Sequence, residues 1–170
     1  MFTRLRAVGL AAAFSAVFAA PALAKPPWIS IELPVNPYDR SLQEAFLLVH
    51  AFRHQMPIAL PIEGTAEGMV NGERRTVKLE FAETSREGVY ALKRTWAGEG
   101  VWTLVIRVGQ GAAEGETATA VVELGADGEV AAVRVPTSRS SGYTIPATVS
   151  MVDIDQALRA RAAQLATRRS

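Results

Sequence analysis

The sequence predicts an all-β protein, an antiparallel β-sandwich followed by a C-terminal amphipathic helix. Roughly eight short segments alternate apolar and polar residues at regular spacing, which is typical of a sandwich or a barrel. Turn-forming pairs such as Asn71-Gly72 separate these segments. Near the end of the chain, the spacing of apolar residues changes from every second residue to the period of a helix. These three observations define the predicted fold class.

The first 24 residues have the pattern of a secretory signal peptide. Arg4 and Arg6 precede an apolar run from Ala7 to Ala20, which is too short to span a membrane comfortably. Ala22-Leu23-Ala24 then forms a small-x-small cleavage site. We therefore expect cleavage after Ala24, no membrane span in the mature protein, and a periplasmic or secreted location.

The composition limits the chemistry of the mature protein. The chain has no cysteine, so its stability rests on packing without disulfides, and this composition suits a bacterial periplasm. Removing Arg4 and Arg6 from the 18 basic residues leaves 16 against 17 acidic residues, a formal charge of −1. A nearly neutral chain has no electrostatic footprint for nucleic acid, and we expect none as a partner.

The mature chain divides into three predicted parts. Residues 25–136 form the sandwich, residues 137–152 form a linker loop, and residues 153–168 form the C-terminal helix. The first strand covers residues 28–33, because its residues alternate in polarity and Pro34 ends it.

Two predicted hairpins account for much of the sandwich. Asn71-Gly72 joins the segments 62–70 and 73–81 and is a strong signal for a type I′ turn. The small residues Gly64, Ala66 and Gly68 share one face of the first segment, which indicates a close approach of the backbone or a bulge. Further strands cover 89–96 and 101–108. A second hairpin covers 117–135 and turns at the Gly-Ala-Asp-Gly segment.

The tail has the pattern of an amphipathic helix. Asp153 can cap its first turn, with Gln156 three residues later in a capping-box arrangement. An apolar stripe follows at helical spacing: Ile154, Leu158, Ala162 and Leu165. We expect this narrow, alanine-rich stripe to pack on the sandwich. The alternative is that it binds a partner.

Two glycine-led strands carry a resemblance to a known group of proteins. They are Gly88-Val89-Tyr90-Ala91-Leu92 and Gly100-Val101-Trp102-Thr103-Leu104-Val105-Ile106, preceded by Gly64-Thr65-Ala66-Glu67-Gly68. Together they resemble the pattern of bacterial immunoglobulin-like sandwiches, including the YtkA-like and carboxypeptidase-regulatory-like modules. The resemblance covers roughly residues 28–108 and is specific for fold rather than function. It implies an exported, non-catalytic accessory or binding module. We expect its partner to be another periplasmic or cell-envelope protein.

Both histidines lie in one stretch, Val49–Pro57, which also contains Met56. On a helix, His50 and His54 would be neighbours about 6 Å apart and could hold one ion. On a strand they would lie about 13 Å apart, whereas His54 and Met56 would be about 7 Å apart. We favour the strand, since the flanking segments are β. The alternative function is a periplasmic copper- or zinc-binding protein that uses His50, His54 and Met56.

The sequence contains no arrangement typical of an enzyme. It has no cysteine and no G-x-S-x-G motif, so the nucleophiles of acyl-transfer chemistry have no recognisable setting. We therefore expect a non-enzymatic protein without a cofactor. Tyr90 and Trp102 alternate with aliphatic residues and are predicted to lie in the core. Trp96 ends its predicted strand beside a turn, and we expect it to be an exposed aromatic contact.

Overall fold

The alternating segments of the sequence form two antiparallel sheets in a computed structural model, which describes residues 26–111 and 115–169. The predicted signal peptide lies outside these residues. One terminal helix accompanies the sheets. The prediction of an all-β antiparallel sandwich with a C-terminal helix is confirmed. Among the described helices, none is long and apolar enough to cross a membrane.

The first sheet is built around the strand that contains His50. Its strands follow the spatial order β1, β2, β7, β6, and β3 pairs with the remaining part of β2. Their bounds are β1 Trp28–Glu32, β2 Leu47–Arg53, β3 Met56–Pro57, β6 Phe81–Glu83 and β7 Val89–Leu92.

The second sheet has five strands in the order β10, β9, β8, β4, β5. Their bounds are β4 Ile62–Val70, β5 Glu73–Lys78, β8 Val101–Gly109, β9 Thr117–Leu124 and β10 Val130–Arg134. Asn71 and Gly72 both have positive φ, 51° and 82°, as a type I′ turn requires. Both predicted hairpins, β4–β5 and β9–β10, are therefore present.

The core between the sheets is packed by pairing small residues with large ones across β4 and β8. The register places Gly64 opposite Ile106, Ala66 opposite Leu104 and Gly68 opposite Trp102. Trp102 is only 3% exposed, and its indole lies over Gly68, where an added Cβ would be 2.5 Å from ring atoms. The close approach that the small residues predict is therefore a direct contact between a backbone and a tryptophan ring.

The segment that leads into and includes the histidine stretch forms a short helix first and a strand after it. A short 3-10 helix covers Arg40–Leu42 and begins at Asp39, whose Oδ1 accepts a hydrogen bond from Ser41 N at 3.0 Å. Strand β2 begins at Leu47 and places Leu47, Val49 and Ala51 in the core. The strand interpretation of the histidine stretch is confirmed as far as Arg53.

The predicted linker loop 137–152 is wrong in its first half. Thr137–Ser140 and Tyr143–Pro146 form a two-stranded hairpin, β11 and β12. Ser141 and Gly142 turn the chain with φ of 50° and 82°, the left-handed geometry that suits a two-residue hairpin turn. The polar, short arms lack the apolar alternation that identified the other strands, so this hairpin has a weak sequence signal.

Helix α1 covers Met151–Arg169, two residues earlier than predicted, so Asp153 lies within the first turn. It packs on the outer face of the second sheet. Ile154 and Leu158 are buried in one cluster with residues of that face: Val101, Val105 and Val121. The expectation that the apolar stripe packs on the sandwich is therefore correct.

Candidate functional site

One end of the sandwich is crossed by the loop of residues 33–46, between β1 and β2. Its local hydrogen bonds hold it in a defined shape. Asn36 Oδ1 accepts from Tyr38 N at 3.0 Å, and Asp39 Oδ1 accepts from the Ser41 hydroxyl at 2.6 Å. Leu42 is 6% exposed and packs with Leu48 on the outer face of the first sheet. Side-chain caps of this kind let an irregular segment keep one conformation.

A cleft of about 420 Å³ lies between this loop and the start of β10. Most of its lining is apolar, and Asn36, Gln43 and Glu129 contribute polar groups. The apolar residues lining it are Leu33, Pro34, Val35, Pro37, Leu42, Ala45, Phe46 and Val130. A concave, apolar surface with a few polar groups is the usual character of a binding site.

Two large apolar side chains of the same loop extend into solvent. Tyr38 is 92% exposed and directly follows Pro37, a residue of the cleft. Leu33 is 41% exposed and lines the cleft itself. Tyrosine combines a large contact area with few rotatable bonds, which is why it is common where proteins bind one another.

The prediction that Trp96 is an exposed aromatic contact is wrong, because Trp96 is 5% exposed and belongs to the core between the sheets. β7 ends at Leu92, and the loop that follows brings Trp96 back edge-on to Phe46, with ring centroids 5.2 Å apart. The guanidinium of Arg94 lies 5.8 Å from the Phe46 ring centroid and 5.7 Å from that of Trp96. Tyr90 and Trp102 are buried, as predicted.

The aromatic pair Phe46 and Trp96 is connected to the cleft, because Phe46 also lines it. Trp96 Nε1 is buried without a hydrogen-bond partner among the described residues. An ion pair between Lys93 Nζ and Glu44 Oε2 connects the loop after β7 with the loop 33–46. One side of the cleft is therefore packed against the Phe46 and Trp96 rings, and the 33–46 loop that lines it is linked to the loop after β7.

His50 lies on the outer face of the first sheet, away from the core. Its Nε2 is 2.7 Å from Glu32 Oε2, and its ring stacks on Phe52 with centroids 6.0 Å apart. Arg86 Nη2 lies 3.1 Å from the same Glu32 oxygen. Glu32 therefore contacts both His50 and Arg86. Nε2 of His50 is occupied by its contact with Glu32.

His54 and Met56 lie at the turn between β2 and β3. His54 and Gln55 have positive φ, 55° and 64°, and Arg53 pairs with Met56 across the turn. Both His54 and Met56 are exposed. His50 is three residues before this turn, on the strand that the sequence predicts.

The three predicted metal ligands lie on two adjoining elements, His50 on β2 and His54 and Met56 at the turn that follows it. Among residues 26–111 and 115–169, no three His, Cys, Asp or Glu side chains are grouped as a metal site. The copper- or zinc-binding alternative remains a prediction. It would draw on His54 and Met56 at the turn, with His50 held by Glu32.

The pKa of Glu32 is set by its burial and its two partners. Burial raises the pKa of this carboxyl, but the hydrogen bonds and charges of His50 and Arg86 outweigh it and hold the value below the usual 4.5. A carboxyl whose pKa is lower in the folded state stabilises the fold above its unfolded pKa. This contribution is lost as the pH falls through the folded pKa.

We expect the wild-type free energy of unfolding to fall faster than that of Glu32→Gln as the pH drops from about 5 to about 3. The difference should be at most about 1 kcal/mol, since the pair is partly solvated. Urea unfolding at a series of pH values measures it. The control Glu63→Gln changes a carboxylate that is 71% exposed and 3.8 Å from Arg107. Its unfolding free energy should change with pH as steeply as that of the wild type. Equal slopes for wild type and Glu32→Gln would contradict the expectation.

A second polar cluster lies beneath helix α1. Glu67 is 3% exposed, and its Oε2 accepts from Thr76 Oγ1 at 2.7 Å and lies 2.7 Å from Arg74 Nη2. Arg74 also lies 2.7 Å from Asp155 Oδ1 on the helix. This buried carboxylate has a hydroxyl donor and a cation on Oε2, and Arg74 links it to the helix, so we assign it a structural role.

Arg161 makes a second polar contact between α1 and the sheet. Its Nη1 donates to Thr103 Oγ1 at 3.0 Å, and its Nη2 donates to the carbonyl of Leu124. Burial lowers the pKa of Arg161 from its usual value, and the charge of Glu123 offsets part of this effect. The beginning of the helix, at Asp155, and its middle, at Arg161, are thus attached to the sheet by arginine contacts.

No protein-family model, curated protein or solved structure matches this chain. The resemblance to bacterial immunoglobulin-like sandwiches therefore rests on the residues quoted for it. Sequence reasoning missed the cleft and Tyr38, although the two prolines and the Asn-Pro-Tyr-Asp segment of this loop are a usable turn signal. It also missed the Glu32–His50 pair, which only the register of β1 with β2 brings together.

Proposed function

We propose that this protein is an exported, non-enzymatic binding module, and that it binds another periplasmic or cell-envelope protein through the end of the sandwich that carries the 33–46 loop. The observation that carries the proposal is the exposure of Tyr38 on the loop that forms one side of the apolar cleft. A side chain that is 92% exposed contributes little to the stability of its own fold. Its display on a loop with fixed geometry fits a role in contact with a partner.

The architecture supports this proposal. The sheets supply a rigid frame, and the loop is fastened to it by Leu42 in the outer cluster and by the Glu44–Lys93 ion pair. Side-chain caps at Asn36 and Asp39 reduce the freedom that binding would otherwise have to remove. A loop prepared in this way loses less conformational entropy when it binds.

The test is photo-crosslinking from position 38 in the native cell envelope. A photoreactive phenylalanine derivative at Tyr38 should give an adduct with one envelope protein. The same substitution at Tyr143, which is 74% exposed on the β11–β12 hairpin, provides the matched control. Adducts of equal yield and identity from both positions would reflect general collisions and would contradict the proposal.

With the captured protein purified, Tyr38→Ala should weaken its affinity by about 2 kcal/mol, or about 30-fold, the size expected for an aromatic anchor. Tyr143→Ala should change the affinity by less than about twofold. Calorimetric titration measures both. The unfolding free energy of each variant should match that of the wild type, because both side chains are mostly solvated. An unchanged affinity for Tyr38→Ala would overturn the proposed site.

A further inference from the structure

We propose that strand β10 pairs antiparallel with β10 of a second copy of this chain, so that the protein forms a two-fold symmetric dimer. The outer edge of β10 is open, since β10 pairs only with β9 among the described strands. Such an edge presents a row of backbone donors and acceptors for another strand. This inference does not depend on the proposed function.

Of the other outer strands of the two five-stranded sheets, β5 and β6 are less suitable for pairing. β5 carries four charged residues among its six: Glu73, Arg74, Arg75 and Lys78. β6 has only three residues. β1, like β10, carries one charged residue, Glu32, which is bound to His50 and Arg86. Charged or very short edge strands resist the addition of another strand, which leaves β1 and β10. Of these two, β10 places opposite charges across from each other when two copies pair, as follows.

The sequence of β10 is complementary to itself when two copies run antiparallel. Residues 129–134 read Glu-Val-Ala-Ala-Val-Arg. In the symmetric register, Glu129 of one copy lies opposite Arg134 of the other, and Val130 lies opposite Val133. The same two pairs repeat on the other side of the two-fold axis. Opposite charges and β-branched residues in facing positions stabilise antiparallel strands, so the partner that this edge fits is a second copy.

In this register, residues that would face each other across the two copies lie on the same face of β10. Val130 and Val133 pair within the sheet with Leu124 and Val122, which are core residues, so both valines face the core side. Directly opposite residues of antiparallel strands share a face, so the valines of the two copies would meet there. Val133 is 38% exposed although it faces the core side, and the second copy would cover it.

The charged residues lie on the other face. Arg134 pairs within the sheet with Val121, a residue of the cluster beneath α1, and it lies 2.5 Å from Glu123. Glu129 directly precedes Val130, is exposed, and by alternation lies on the same face as Arg134. A register shift between Val130 and Ala132 falls at the two-fold axis. Only alanine side chains would meet there, which leaves room for the two backbones.

The dimer would also complete one wall of the cleft. Glu129 and Val130 line the cleft of the 33–46 loop, so Arg134 of the second copy would lie at its rim. The two clefts of a dimer would then be related by the same two-fold axis.

Sedimentation velocity over a concentration series tests the dimer, with the chain purified after export under its own predicted signal peptide. We expect a reversible dimer. Val133→Lys should weaken it by at least about tenfold, because it places a charge against Val130 of the second copy. Val152→Lys changes a valine that is 63% exposed on α1 and should leave the dimer intact. Glu129→Lys, which places like charges opposite each other, should also weaken it.

Cysteine pairing tests the register, because the chain has no cysteine of its own. A mixture of Val130→Cys and Val133→Cys chains should form a disulfide-linked dimer, because directly opposite residues lie within disulfide range. Val130→Cys alone should not, since its two copies would lie about 10 Å apart along the strands. Unfolding curves confirm that each variant is folded.

Three results would overturn the proposal. One is a chain that stays monomeric at its highest soluble concentration, including the case in which a strand of a different protein occupies the β10 edge. Another is a dimer that Val133→Lys leaves unchanged while the variant remains folded. The third is cross-linking of Val130→Cys with itself at the yield of the mixture.

Discussion

Gly68→Ala is expected to lower the free energy of unfolding by about 3 kcal/mol, one of the largest effects of a single methyl group in this protein. The added Cβ would lie 2.5 Å from ring atoms of Trp102, closer than two carbon atoms can approach. The indole is 3% exposed and packed among core residues, so it can move only by disturbing its neighbours. Chemical denaturation followed by tryptophan fluorescence measures the loss.

Gly98→Ala is the matched control for this substitution. The loop at Gly98 leaves space for a Cβ, with nothing within 4 Å, so the change should alter stability by less than about 1 kcal/mol. In a Trp102→Ala background, Gly68→Ala should be much less harmful, since the clash is removed. An undiminished loss in that background would show that the contact with the indole is not the cause.

Arg74→Met is expected to destabilise the protein by about 3 kcal/mol, because it leaves the carboxylate of Glu67 buried without its cation. Thr76 would still donate one hydrogen bond to Glu67, but a neutral hydroxyl does not balance the charge. The variant also removes the contact of the sheet with Asp155 on α1. Urea unfolding at neutral pH measures the effect.

The neighbouring arginine supplies the control. Arg75 is 60% exposed and pairs with Glu73, which is 68% exposed, so Arg75→Met should cost no more than about 1 kcal/mol. Combining Glu67→Gln with Arg74→Met should recover part of the loss, since the uncompensated charge is then absent. Equal losses for Arg74→Met and Arg75→Met would show that burial of Glu67 does not determine the cost.

Local patterns in the sequence were sufficient to predict most of the fold. Alternation of polarity identified β8, and Asn71-Gly72 identified the turn between β4 and β5 because only residues that tolerate positive φ fit there. The spacing of Ile154 and Leu158 identified the buried stripe of α1. Each of these signals is contained within a few consecutive residues, which is why a single sequence reveals it.

The remaining features depend on contacts between distant parts of the chain. Trp96 is buried because its loop returns to Phe46, 50 residues earlier, and no neighbouring residue indicates that return. Glu32 meets His50 only because β1 pairs with β2 in one register. The cleft needs both the 33–46 loop and the start of β10, which are far apart in sequence. The candidate site could therefore be recognised only once the strands were in place.

Helix α1 follows the twelve strands that the structure describes, and this position imposes an order of assembly. Polypeptides are synthesised from the N-terminus, so both sheets can pair before the helix exists. Until then, Val101, Val105 and Val121 form an uncovered apolar surface, and Arg74 has no contact with Asp155. A chain whose sheets have paired before α1 docks is therefore more exposed to aggregation, and the docking of α1 removes that exposure.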